Sequence, residues 1–104
     1  MPSPVRRILD TWVANVNRGD ISATTGLYAL DAVLLATFEA VPAATPAAIR
    51  TYFEMLGTRA DLSVELDEAS IAEHGQAISG LYTFSHGNGP ERTSAPSRFT
   101  FVVD

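Results

Sequence analysis

The run Ala77-Ile78-Ser79-Gly80-Leu81-Tyr82-Thr83-Phe84-Ser85 is followed by Gly87-Asn88-Gly89-Pro90 and a return through Arg98-Phe99-Thr100-Phe101-Val102-Val103. Its reading decides the fold. Ile78, Gly80, Tyr82 and Phe84 recur at the two-residue period of a strand and so share one face. The Gly-Asn-Gly-Pro stretch is a strong turn signal, which predicts a β-hairpin between the two runs. Upstream, Leu62, Val64 and Leu66 alternate with Ser63, Glu65 and Asp67. That pattern predicts a half-buried strand running on toward Ile71, with a turn at Gly75.

The N-terminal half carries a different period. Ser3-Pro4 is a helix start, a serine cap with proline at the first helical position. Val5, Ile8, Leu9, Trp12, Val13 and Val16 then form one apolar stripe, ended by Gly19. Asp20 can cap a second, shorter helix with Ile21, Thr24, Leu27 and Tyr28 on one side. Ala32-Val33-Leu34-Leu35-Ala36-Thr37-Phe38 is short and apolar and reads as a buried strand, with Val41 to Ala44 as loop. Thr45-Pro46 repeats the cap-plus-proline signature, and Ile49, Tyr52, Phe53 and Leu56 give a third helix closed by Gly57. The expected order is α-α-β-α-β-β-β. This is one α+β domain over residues 1–104, a curved antiparallel sheet packed on N-terminal helices.

Composition removes several chemistries. The 104 residues are 46% hydrophobic and 18% charged, enough for a packed core and too apolar for disorder. Twelve acidic residues face seven basic ones, all arginine, for a net charge of −5, with no lysine and no cysteine. A Schiff-base lysine, a phosphate-loop lysine, a thiolate nucleophile, a disulfide and a cysteine zinc site are therefore excluded. An acidic, lysine-free surface argues against a nucleic-acid partner. No apolar signal core follows Arg6-Arg7, and Glu39, Pro42 and Pro46 break the most apolar stretch, so no membrane partner and a cytoplasmic location are expected. The alanine-rich, all-arginine usage looks like a GC-rich bacterial coding bias.

Several stretches resemble a known family. Leu27-Tyr28-Ala29-Leu30-Asp31-Ala32-Val33-Leu34-Leu35-Ala36-Thr37 is similar to an "LYapdavLlpT" motif, Ile49 to Glu54 to "IxxYFe", Gly80 to Phe84 to "GvYtF", and Ser97 to Val102 to "aRyTFvy". In this order they resemble the nuclear transport factor 2-like (ketosteroid isomerase-like, SnoaL-like) cone. The likeness is greatest to the bacterial branch similar to the calcium/calmodulin-dependent protein kinase II association domain. The resemblance implies a cystatin-like cone enclosing a pocket. Family members continue through a further strand, so it also implies a cone truncated at Asp104, with an open edge beside Phe99 to Val103 that invites another chain.

Strand alternation puts Arg98, Thr100 and Val102 on one face and Phe99, Phe101 and Val103 on the other. The resemblance implies that the arginine side faces the pocket and the aromatic side an oligomer contact. Arg98 would then bind a small carboxylate or other anion, with Tyr82, Trp12, Tyr28, Phe38, Phe53 and Thr100 as further ligand-binding residues. The plainer reading of Arg98 is an exposed strand residue pairing with Glu65 or Asp67. His74 and His86 sit about a strand length apart as solvated turn residues, so no metal site is expected, and no cofactor is implied. Catalytic residues are not assignable: the strands offer Ser79, Tyr82, Thr83 and Thr100 but no aspartate, and of the remaining candidates Glu39 and Glu54, Glu54 follows Phe53 on a helix and reads as surface. Three functions stay open. The first is a self-associating (homodimeric or higher) small-molecule-binding cone. The others are an isomerase, cyclase or hydrolase acting on a small apolar substrate, and a purely structural oligomerisation module.

Overall fold

The computed structural model describes residues 2–104. Three helices lie where their caps stand in the sequence: α1 (Pro4–Arg18), α2 (Ile21–Thr25) and α3 (Pro46–Leu56). The Ser3 hydroxyl accepts from the Arg6 N–H, Asp20 from Ala23 and Thr45 from Ala48, each satisfying an amide that has no partner inside its helix. Gly19 closes α1 at φ +70°, a left-handed conformation that glycine adopts without cost. Leu27 and Tyr28 fall just past α2, in turn. No helix among the described residues is long and apolar enough to cross a membrane.

Four strands follow: β1 (Ser63–Leu66), β2 (Ala72–His74), β3 (Ala77–His86) and β4 (Thr93–Val102). β3 is the spine of one antiparallel sheet. β4 pairs along its whole length, from Ala77 opposite Val102 to His86 opposite Thr93. β1 and β2 share the other side, with Val64 opposite Phe84 and Ala72 opposite Ser79. Ile78, Tyr82 and Phe84 of β3, Phe99 of β4 and Val64 of β1 turn inward and bury against Leu9, Trp12, Val16, Ile49 and Phe53 of the helices. Helices on one face of a curved antiparallel sheet make the α+β cone that the sequence predicts.

Three elements differ from expectation. Residues 32–38 form no strand, only an isolated bridge between Leu34 and Ala43. The segment is extended, with Ala32, Leu34 and Ala36 against the core, but Val33 and Leu35 remain 59% and 78% exposed. The expected strand from Leu62 toward Ile71 breaks into β1 and β2 at a 3-10 turn, Glu68–Ser70. Arg6 grips Glu68 there in a bidentate pair at 2.9 and 2.6 Å, which holds the Glu68 carboxyl below the usual carboxylate range. The Ser70 hydroxyl also accepts from the Leu81 N–H at 2.8 Å, replacing the ladder bond that the turn removes. Finally, β4 begins at Thr93, five residues before Arg98, because the turn after β3 is compact.

Gly80 lies where this turn crosses the sheet. A Cβ there would stand 2.8 Å from Ile71 Cδ1, 3.1 Å from Ser70 Oγ and 3.2 Å from Phe99 Cε2. Gly80→Val is therefore expected to lose about 1–3 kcal/mol by overpacking. Urea denaturation followed by far-UV circular dichroism measures it, and an unchanged midpoint would disprove the close approach.

Candidate functional site

The interior of the cone is aromatic. Trp12, projected from the buried stripe of α1, stacks on Tyr82 with ring centres 5.6 Å apart and planes 8° from parallel. Phe101, Phe84 and Phe53 meet its edges at 5.3, 6.3 and 6.4 Å. Tyr82 stacks in turn on Phe99 at 5.0 Å, and Tyr28 packs on Phe53 at 5.7 Å. The indole N–H donates to the Tyr28 hydroxyl at 3.1 Å, and the Tyr82 hydroxyl lies near Thr37. Desolvation pushes the hydroxyls of Tyr28 and Tyr82 up from their ordinary value, and that of Tyr52 up to about 12. Trp12, Tyr28, Tyr82, Phe53 and Phe38 are thus brought together, largely against one another.

Arg98 and Thr100 are not brought to them. The alternation along β4 is as expected, but its faces are reversed: Phe99, Phe101 and Val103 pack against the core, while Arg98, Thr100 and Val102 are exposed on the face away from the helices. The physical reason is burial. A strand with one covered face must turn its apolar set toward that cover, because a one-residue slip would expose every ring. Arg98 therefore cannot supply the interior cation, and the Phe99 side is not a bare sheet face. Glu54 is exposed beside Arg50, as read from the helix pattern.

A concave feature with room for a ligand lies at the C-terminal end of α3. It is a cleft of about 410 Å³ walled by Phe38, Tyr52, Met55 and Leu56, with Glu39, Thr58 and Arg59 at its rim. A second cavity, among α1, α2 and α3, holds only about 20 Å³, space for a single water. The Arg59 guanidinium lies 4.1 Å over the face of Phe38, a cation–π contact, and Nη1 stands 3.4 Å from His86 Nε2. Among the described residues Arg59 makes no ion pair, whereas Arg6, Arg18 and Arg50 each hold a carboxylate. Phe38 is backed by Phe84, with ring centres 5.5 Å apart. His86, read from sequence as a solvated turn residue, is half-buried here. Sequence reading did not single out Arg59. It follows Gly57 in a polar turn, and the ring that holds it is 21 residues away, a pairing that no local period announces.

The family model of the SnoaL-like domain matches residues 9–104. No curated protein matches the chain. Among solved structures, the chain is 30% identical to a Xanthomonas campestris protein described as a calcium/calmodulin dependent protein kinase II association domain, with a TM-score of 0.70 over 94% of this chain and 72% of that one. An LEH-like epoxide hydrolase of Mycobacterium tuberculosis superposes with a TM-score of 0.76 over 96% of this chain and 73% of that one, at 17% identity. A protein of Catenulispora acidiphila with a ketosteroid isomerase-like fold, in complex with trimethylamine, gives 0.80 over 99% and 78%, at 12% identity. At such identities these last two share the fold alone. The order of helices and strands, the inward-facing aromatic sheet and the match over residues 9–104 agree, and the chain belongs to the SnoaL-like domain family.

Proposed function

We propose that this protein is a self-associating small-molecule-binding cone whose ligand has an apolar body and an anionic head, received in the cleft beside α3. The observation that carries the reading is Arg59. It is held over Phe38 at 4.1 Å in a cleft of about 410 Å³, and among the described residues it forms no ion pair, Glu39 standing elsewhere on the same rim. That volume lies within the range of small-molecule sites, which are mostly apolar with a few polar groups that fix orientation. A guanidinium braced on a ring keeps its fork pre-organised for a bidentate carboxylate. The expectation of a binding arginine is thereby moved from Arg98 to Arg59. Phe38 stays in the ligand set, and Tyr52 joins it.

Binding rather than acid–base turnover fits the interior groups. General acid–base work in an apolar cone needs a carboxylate or imidazole projecting into it. Among the interior rings the polar atoms are an indole N–H and tyrosine and threonine hydroxyls, whereas the carboxylate and imidazole nearest the ligand, Glu39 at the cleft rim and His86 beside Arg59, stand outside that interior. The relative from Xanthomonas campestris, described as an association domain, supports the self-association.

The test is a thermal-shift titration with benzoate and phenylacetate as probes. A ligand at a hundredfold excess over Kd stabilises by about 2.7 kcal/mol, a rise of several degrees in Tm. Arg59→Met is expected to weaken binding at least about tenfold, the loss of a charge-assisted pair, while Arg98→Met leaves it unchanged. Loss on Arg98→Met instead would place the site on the outer face, and no shift with either probe would leave the structural-module reading standing.

A further inference from the structure

Behind Arg59 stands His86, the last residue of β3. His86 does not line the cleft itself and reaches it only through Arg59, whose Nη1 lies 3.4 Å from His86 Nε2. A guanidinium has donors and no acceptor, so this contact is attractive only when Nε2 carries a lone pair. The imidazole is then neutral with its proton on Nδ1, and the Thr93 hydroxyl, 3.2 Å away, donates to the same Nε2. Phe38 supports both groups: its ring lies 4.1 Å beneath the guanidinium and 6.1 Å from the imidazole in a T-shaped pair. The backbones that carry the pair are tied together. Gly87 N–H donates to the Ala60 carbonyl at 2.7 Å, and Arg59 N–H to the Leu56 carbonyl at 3.1 Å. Arg92 donates to the Asp61 carbonyl at 2.8 Å, and to the Gly87 carbonyl and the Ser63 hydroxyl at 3.0 Å each. With the main chain held on both sides, the part left free to move is the guanidinium, and Phe38 and His86 are its two supports.

We infer that His86 is the positioning residue of the cleft: its neutral imidazole holds Arg59 ready for an anionic head, and its protonation releases Arg59. The inference rests on the anion-binding reading of Arg59 just proposed and adds the regulation of that site. Taking up a proton turns Nε2 from acceptor to donor and sets a second positive charge 3.4 Å from the guanidinium. The charged groups around it do not offset this. Arg92 is committed to Asp61, Gly87 and Ser63. Asp61 and Glu91 are exposed, Glu39 stands elsewhere on the cleft rim, and among the described residues no carboxylate lies within ion-pair distance of His86. The resulting pH dependence has the sign opposite to that of net charge. A chain of net charge −5 becomes less negative in acid and should draw an anion more strongly. Loss of the support behind Arg59 weakens binding in acid instead, in proportion to the fraction of imidazole that stays neutral.

Isothermal titration calorimetry with benzoate tests this at about pH 8 and about pH 5.5, a range that brackets imidazole titration and leaves a carboxylate ionised. Kd is expected to rise about tenfold from the higher pH to the lower. Between them binding should release protons, read as a dependence of the heat on the ionisation enthalpy of the buffer. His86→Phe removes the acceptor and is expected to weaken binding about three- to tenfold at the higher pH, the share of one hydrogen bond. His86→Gln restores an acceptor that does not titrate and should recover most of that loss. Both variants should flatten the pH profile, whereas His74→Gln, at the exposed end of β2, should keep the wild-type profile. Far-UV circular dichroism at both pH values confirms that each variant folds. A wild-type Kd that is flat or falls in acid, or a His86→Gln protein that still weakens in acid, would overturn the role of His86 and keep the Arg59 reading. Benzoate that fails to bind at the higher pH, or that binds Arg59→Met as tightly as wild type, would overturn both.

Discussion

Trp12→Ala is expected to cost about 3–5 kcal/mol, the range for truncating a large buried aromatic. Trp12 is only 4% exposed and touches both layers: it leaves α1 and stacks on Tyr82 of β3, with Phe101 of β4 and Phe53 of α3 against its edges. Removing it opens a cavity whose walls are rings on three separate elements, and rings held from different backbones cannot all collapse into it. The Tyr28 hydroxyl also loses its 3.1 Å donor. A domain of this size is worth about 5–15 kcal/mol in all, so the variant keeps little of it, and Tm should fall by about 15 °C or more. Trp12→Phe, which preserves the stack but not the N–H, should lose distinctly less. Trp12 is the sole tryptophan, so the variants are followed by far-UV circular dichroism in urea rather than by fluorescence. A loss below about 1 kcal/mol would mean that the interior is not packed around Trp12. The cone interior, rather than the Arg59 cleft, would then be the place to look for a ligand.

Fold and site were legible to different degrees for a physical reason. The helices announce themselves locally, because a cap, a proline and an apolar stripe all act within a few residues: α1 and α3 carry all three and end where expected, while α2, with a cap alone, stops short of Leu27 and Tyr28. β3 and β4 were legible because alternation with a glycine-rich turn specifies a hairpin without help from elsewhere. What alternation leaves undetermined is which face looks inward. Phe99 and Phe101 go inside since burying rings outweighs exposing Thr100 and an arginine stem, and an expectation borrowed from resemblance put them outside. The segment at residues 32–38 failed differently. Its composition is that of a strand, but a strand needs a partner along its length, and the Leu34–Ala43 bridge is all the pairing it has. Arg59 was invisible because its meaning comes from Phe38 and His86, which only tertiary folding brings to it.

The missing lysines and cysteines make one further behaviour unusually clean. Between about pH 9 and 12 an ordinary protein titrates lysine, cysteine and tyrosine together; this chain has only its three tyrosines to titrate there, since arginine stays charged. All three are buried enough that desolvation raises their hydroxyls, Tyr52 to about 12 and Tyr28 and Tyr82 also upward. In the unfolded chain each ionises near 10. Below pH 10 both states hold the three protons and tyrosine adds no pH dependence. Above it the folded state retains protons that the unfolded state has released, so stability falls as pH rises. Three such groups give a slope of at most about 4 kcal/mol per pH unit, so the two pH units above 10 remove up to about 8 kcal/mol, enough to unfold a domain in the lower half of the range of about 5–15 kcal/mol. The expected result is a single cooperative alkaline transition between about pH 11 and 12, in which tyrosinate absorbance at 295 nm rises together with the loss of far-UV ellipticity. Tyrosinate appearing near pH 10 with ellipticity intact would show that at least one hydroxyl is open to solvent. The Tyr28→Phe and Tyr82→Phe variants would identify which, each reducing the slope by about a third where its hydroxyl is buried.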